Sequence, residues 1–89
     1  MAVVEFTQNL RRHVACPSES VPGDTLISAL EAYFARHPAV RGYVLDEQGR
    51  LRHHVTLFID GAQLRARDRL DTPVAEGATV TVMQALSGG

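Results

Sequence analysis

The sequence predicts an α+β domain: a mixed sheet of four to five strands crossed on one face by a single helix. Three observations predict it. Apolar residues alternate with polar ones at both ends of the chain and again near residue 57, where β-branched and aromatic side chains are dense. One segment in the first half has helical spacing instead, and turn chemistry separates it from the strands. The chain has 89 residues, enough for one domain that buries roughly 60 to 65% of its unfolded surface and too few for two.

Composition narrows the function classes. Apolar residues make up 45% of the chain and charged residues 21%, so folding is expected rather than disorder. The formal net charge is -1, which does not favour nucleic acid or an anionic membrane, and neither is an expected partner. All nine basic residues are Arg, so the chain offers no lysine ε-amine to which another copy could be joined. With Cys16 as its one cysteine, the chain has no internal disulfide and no cysteine-based zinc site. No secretory leader pattern or long apolar run is present, and the expected location is the cytoplasm.

Taken in order, Ala2 to Thr7 suits a strand, with Val4 and Phe6 on one face and Val3 and Glu5 on the other. Gln8 and Asn9 mark a turn, and Arg11 to Cys16 is expected to pair back as the second strand of a hairpin that Pro17-Ser18-Glu19-Ser20 ends. Asp24 or Thr25 can cap a helix whose apolar stripe runs Leu26, Ile27, Leu30, Phe34 and His37, stopping at Pro38. Arg41 to Leu45 reads as a short extended segment and Asp46-Glu47-Gln48-Gly49 as a turn.

Arg50 to His54 leads into the strand Val55 to Ile59. Asp60-Gly61 then signals a tight hairpin with positive φ at both central positions, and Ala62 to Leu64 is the short return strand. Arg65 to Asp71 is polar, with Leu70 reaching the core. After a bend at Glu76-Gly77 comes the last strand, with Val80 and Val82 on one face and Thr79, Thr81 and Met83 on the other. Residues 1–85 are expected to form the domain and residues 86–89 a flexible tail.

That tail, Leu86-Ser87-Gly88-Gly89, carries the chemistry. A glycine pair has no Cβ and can be threaded extended through a channel too narrow for other residues. A carboxylate at neutral pH is a poor electrophile. Using it requires an enzyme that converts it to a mixed anhydride such as an acyl-adenylate. A Gly-Gly end also arises by chance, so its meaning depends on the domain that presents it.

The strand order, Asp60-Gly61 after an apolar strand, Glu76-Gly77 before the last one, and Ser87-Gly88-Gly89 at the end resemble the ubiquitin-like (β-grasp) sulfur carriers of the MoaD/ThiS family, in particular its CysO-like branch. The similarity runs from about Gly23 to Gly89, while the first 22 residues match only in strand character. The resemblance implies that an adenylating enzyme of the ubiquitin-activating type (MoeB/ThiF-like) consumes ATP to activate Gly89. A thiocarboxylate formed there then gives sulfur to a biosynthetic acceptor enzyme. Gly89 would be the acyl and sulfur site, and Gly88 the neighbour that lets the tail enter the channel. No cofactor would be bound, and the free protein would be a monomer. The chain departs from the family pattern at Gln84, Leu86 and Ser87, positions expected to touch the partner.

Other candidate sites have two readings each. Phe58 and Met83 point away from the helix and suit a docking patch, unless loops cover them, and with Leu86 and Ser87 they are the expected partner-binding residues. Arg50, Arg52, Arg65, Arg67 and Arg69 are either solvated surface or a steering patch for an acidic partner edge. His53 and His54, read as strand neighbours, would point to opposite faces and could not share a metal, so no metal site is expected. Cys16 is expected to be a strand residue rather than a persulfide carrier.

No catalytic triad, phosphate loop or paired-carboxylate arrangement can be assembled, and an enzyme is not expected. Three functions remain open: a sulfur carrier for a biosynthetic pathway (cysteine, a thiosugar or other sulfur metabolite, tRNA or molybdopterin), a protein modifier joined through Gly89 to target lysines, or a plain interaction module whose glycines are incidental.

Overall fold

A computed structural model of the chain describes residues 1–84. The expectations for Leu86, Ser87, Gly88 and Gly89 lie outside the described residues. The elements are β1 (Ala2–Phe6), α1 (Gln8–Arg11), β2 (Glu19–Val21), α2 (Leu26–Arg36), α3 (Pro38–Val44), β3 (Val55–Ile59), β4 (Ala62–Gln63) and β5 (Thr79–Gln84). They form one five-stranded sheet in the order β2-β1-β5-β3-β4. Strands β1 and β5 run parallel in the middle and the other pairs are antiparallel, so the sheet is mixed as expected.

Alternation in β1 buries Ala2, Val4 and Phe6 and leaves Val3 and Glu5 half-buried. The expected hairpin partner at Arg11 to Cys16 does not form. Instead Gln8–Arg11 makes a helical turn that buries Leu10, a loop carries Cys16, and β2 starts at Glu19, inside the stretch read as a loop. The physical reason is that Arg11, Arg12 and His13 are three successive exposed residues, which no half-buried strand face can accommodate. The apolar spacing of Leu10, Val14 and Cys16 is satisfied by a wrapped loop packed on the core.

Helix α2 starts where the capping residues predict. Thr25 is extended, its Oγ1 accepts from the Ser28 amide at 3.2 Å, and its own amide donates to Ser28 Oγ at 3.0 Å, a reciprocal capping box. Leu26, Ala29, Leu30, Tyr33 and Phe34 form the buried stripe against the sheet. At Gly23, just before the cap, a Cβ would stand 2.6 Å from the Ala29 backbone nitrogen, so only glycine lets the chain pass this close to α2.

Pro38 does not simply end the helical region. It is the first residue of α3, where its missing N–H costs nothing, and Val40 and Val44 are buried four residues apart. The reading of Arg41 to Leu45 as extended is therefore corrected, and the single crossing helix becomes two consecutive ones. The turn at 46–49 forms as expected: Asp46 accepts from the amides of Gln48 and Arg50, both at 2.9 Å, and Leu45 bridges Leu51. Asp60 (φ 50°) and Gly61 (φ 83°) close the β3–β4 hairpin with positive φ at both positions.

The core lies between the helices and one face of the sheet. Val55, Leu57, Val80 and Val82 are fully buried there with Leu26, Leu30 and Tyr33, and Leu70 closes one edge. The opposite face carries Val3, Glu5, Thr56, Phe58, Thr79, Thr81 and Met83, with no element packed over it among the described residues.

Candidate functional site

The candidate site is the root of the tail, because β5 leads directly into residues 85–89 and is the central strand of the sheet. β5 is held on both sides: Val82 pairs with Phe6 and Leu57, and Gln84 pairs with Val55. The corner is tied further by α1. The Thr7 amide donates to the Val82 carbonyl at 3.1 Å, and Asn9 Nδ2 donates to the Gln84 carbonyl at 3.1 Å. The sequence reading took Asn9 only as a turn marker. Its contact lies 75 residues away along the chain, and nothing local signals it. Gln84, the last described residue, is therefore anchored by β3 on one side and by Asn9 on the other.

Phe58 and Met83 lie on the outer sheet face as expected. Phe58 is opposite Thr81 and Met83 opposite Thr56, which makes them diagonal neighbours one pair apart. Met83 is 40% exposed, whereas Phe58 is half-buried among its strand neighbours. The aromatic is thus part of a flat, threonine-lined surface rather than a free-standing knob, and the polarisable Met83 side chain is its most accessible apolar part.

Cys16 is buried, and in a loop rather than a strand. Burial raises its thiol pKa, against a smaller opposing pull from the Arg11 charge. A buried, protonated thiol is a weak nucleophile. Nearby, the Tyr33 hydroxyl donates to the Pro17 carbonyl at 2.7 Å, and burial, Cys16 and Glu19 push its pKa up to about 12. Both groups serve packing.

His53 and His54 sit in the turn before β3, not on the strand. Their rings meet edge to face with centroids 5.4 Å apart, so the strand argument for opposite faces does not hold. Among the described residues there is no cluster of three or more His, Cys, Asp or Glu able to hold a metal ion.

The arginine run is largely engaged in local bonds. Arg52 Nε donates to the Gly42 carbonyl at 2.7 Å, Arg67 to the Arg52 carbonyl at 2.6 Å, and Arg69 pairs with Asp71 at 3.1 Å. These contacts stitch the loop 65–71 and the 50–54 turn to the domain. Among the described residues, no helix is long and apolar enough to cross a membrane.

Comparison with known proteins places this geometry. No family model matches the chain. The sulfur carrier protein CysO of Mycobacterium tuberculosis is 28% identical over 74 residues, 81% of this chain and 80% of the relative. SAMP1 of Haloferax volcanii superposes with a TM-score of 0.79 at 26% identity, covering 99% of this chain and 98% of that one. CysO from a BexX/CysO complex of Amycolatopsis orientalis gives a TM-score of 0.83 at 22% identity over the whole of both chains, a likeness of fold.

Five strands in this order crossed by α2 are the β-grasp, ubiquitin-like fold. The chain thus has the ubiquitin-like fold and is similar in sequence and structure to the CysO-like sulfur carriers. The proteins it resembles are small sulfur carriers and ubiquitin-like modifiers, and they support a role of that kind rather than a catalytic one.

Proposed function

We propose that the chain is a sulfur carrier whose Gly89 carboxylate is adenylated and then converted to a thiocarboxylate. The observation that supports this best is the fixed root of the tail: the central strand ends at Gln84, tied by Asn9 and paired with Val55, immediately before Ala85-Leu86-Ser87-Gly88-Gly89. A carrier must present one carboxylate to two active sites in turn, and a rigid body with a threadable end does so. In the first step the carboxylate oxygen attacks the α-phosphorus of ATP and pyrophosphate leaves. In the second a sulfur nucleophile attacks the acyl carbon and AMP leaves. Gly88 lets the last residues enter the channel extended, and Leu86 and Ser87 contact its mouth. The activating enzyme is of the ubiquitin-activating type. The sulfur acceptor is a biosynthetic enzyme, a reading supported by the CysO solved in complex with BexX.

A second reading is conjugation of Gly89 to a target amine, favoured by the likeness to SAMP1, a small archaeal modifier protein. Both share the adenylate and differ in the nucleophile that follows. ATP–pyrophosphate exchange tests the common step, and offering sulfide and a lysine-bearing acceptor to the same adenylate separates the two.

The Phe58 and Met83 surface is the docking face for the activating enzyme. Burying a phenylalanine in a partner pocket contributes roughly 1.5 to 3 kcal/mol, so Phe58→Ala is expected to weaken binding by about ten-fold or more in calorimetric titration. The variant should unfold cooperatively near the wild-type midpoint, because Phe58 lies outside the core. Unchanged affinity would remove this face from the interface.

A further inference from the structure

The two ends of the sheet differ in charge, although the net charge is only -1. At the end where β5 stops, α1 and the loop after it bring Arg11, Arg12 and His13 to one side of Gln84. The turn before β3 brings Arg52, His53 and His54 to the other. Arg11, Arg12, His13 and His53 are exposed. None of the six is in an ion pair among the described residues.

Among the carboxylates near this end, Glu47 is exposed and outside the ion pairs of the described residues, and the others are engaged. Glu5 accepts from Thr81 Oγ1 at 3.0 Å, Glu19 pairs with Arg36 and His37, and Asp46 holds its turn and Arg50. The opposite end carries Asp24 before α2, Asp60 in the β3–β4 hairpin, which accepts from the Thr79 amide, and Glu76 before β5, which pairs with the N-terminal ammonium. The formal positive charges flanking the end of β5 are thus Arg11 and Arg12 on one side and Arg52 on the other, with the three histidines beside them.

We propose that this basic collar steers the tail toward a protein partner whose channel mouth is rimmed with Asp and Glu. The proposal rests on the carrier reading above for the identity of that partner and adds how the chain is oriented on approach. Complementary charge around a narrow entrance raises the encounter rate and points the correct end inward before any tail contact forms. A neutral-charge carrier gains orientation from the placement of its charges where it has no net attraction. An acidic rim also leaves the tail carboxylate unattracted by the collar's partner until it has passed the entrance, so the collar and not the tail makes the first contact.

Two measurements test it. In nuclear magnetic resonance titration of the labelled chain with hexaglutamate at low salt, amides of residues 8–14 and 52–55 should shift while those of 22–24, 60–61 and 75–77 stay still. Shifts spread over both ends overturn the proposal, as does tighter binding of hexathymidylate, which would point to nucleic acid. So does an intact chain whose collar amides already show peptide-like shifts that disappear when residues 85–89 are removed, since the tail would then occupy the collar itself.

In stopped-flow association with an activating enzyme that adenylates the chain, the double variant Arg11→Gln/Arg12→Gln should bind about ten-fold more slowly at low salt, with its dissociation rate unchanged. The deficit should vanish near about 0.5 M salt, and Asp24→Asn/Glu76→Gln, at the far end of the sheet, should not slow association. Equal on-rates for wild type and the arginine variant at low salt overturn the proposal. Should no such enzyme adenylate the wild-type chain, the carrier reading fails, and the hexaglutamate titration alone decides the collar.

Discussion

Replacing Gly89 with Val is expected to reduce chain-dependent ATP–pyrophosphate exchange by about 100-fold or more, while leaving the thermal unfolding of the domain unchanged. The variant still ends in a carboxylate, so the loss would come from geometry. A β-branched side chain cannot follow the extended path that a glycine takes through a narrow channel, and misplacing the carboxylate by about 1 Å relative to the α-phosphate is enough to cost that factor. Exchange at the wild-type rate would mean that the activating site does not discriminate at the terminal position.

The second large effect is on stability. Gly23→Ala is expected to destabilise the domain by about 2 to 4 kcal/mol, read as a lowered midpoint in urea. The new Cβ would lie 2.6 Å from the Ala29 nitrogen and 2.8 Å from its Cα, both backbone atoms of α2 that cannot rotate away, and φ at Gly23 is +149°, which side chains rarely adopt. Relief would require α2 to lift from the sheet and uncover Leu26 and Leu30. Gly77→Ala is the control: φ is +81° there, but nothing lies within 4 Å of the added carbon, so only the backbone term of about 1 kcal/mol remains. Equal midpoints for the two variants would contradict the close approach at Gly23.

Much of this architecture is legible in the sequence wherever a local signal and a tertiary one agree. β5 alternates because one face meets the helices, Thr25 caps because Ser28 answers it three residues later, and Asp60-Gly61 turns because an Asp-Gly pair is one of the few that readily take positive φ at both positions. The misreadings fall where a short segment serves the core without a period of its own. Arg11 to Cys16 has strand-like residues at its end but three exposed charged or polar ones at its start, and the core takes Leu10 and Cys16 from a loop. Pro38 reads as a stop, yet the buried Val40 and Val44 with Pro at the first position are the signature of a new helix start.

For the site, the strand faces of Phe58 and Met83 follow from alternation alone. The degree of exposure does not, because it depends on neighbours across the sheet. Arg52 is legible as part of a steering patch, but its meeting with Asn9 and Arg11 to His13 is not: α1 reaches the end of β5 through the parallel pairing of β1 with β5, and the turn at 52–54 through the antiparallel pairing of β3 with β5.

The carrier reading stands or falls on the fate of the Gly89 carboxylate. With ATP, an activating enzyme and sulfide, the intact mass of the chain should rise by one sulfur-for-oxygen exchange, located to the C-terminal peptide. The same rise is expected for Cys16→Ser, because the native thiol is buried with its pKa raised and takes no part. A mass gain that disappears in Cys16→Ser and persists in a chain lacking Gly89 would contradict the account, since the sulfur would then be carried by the thiol and not by the tail.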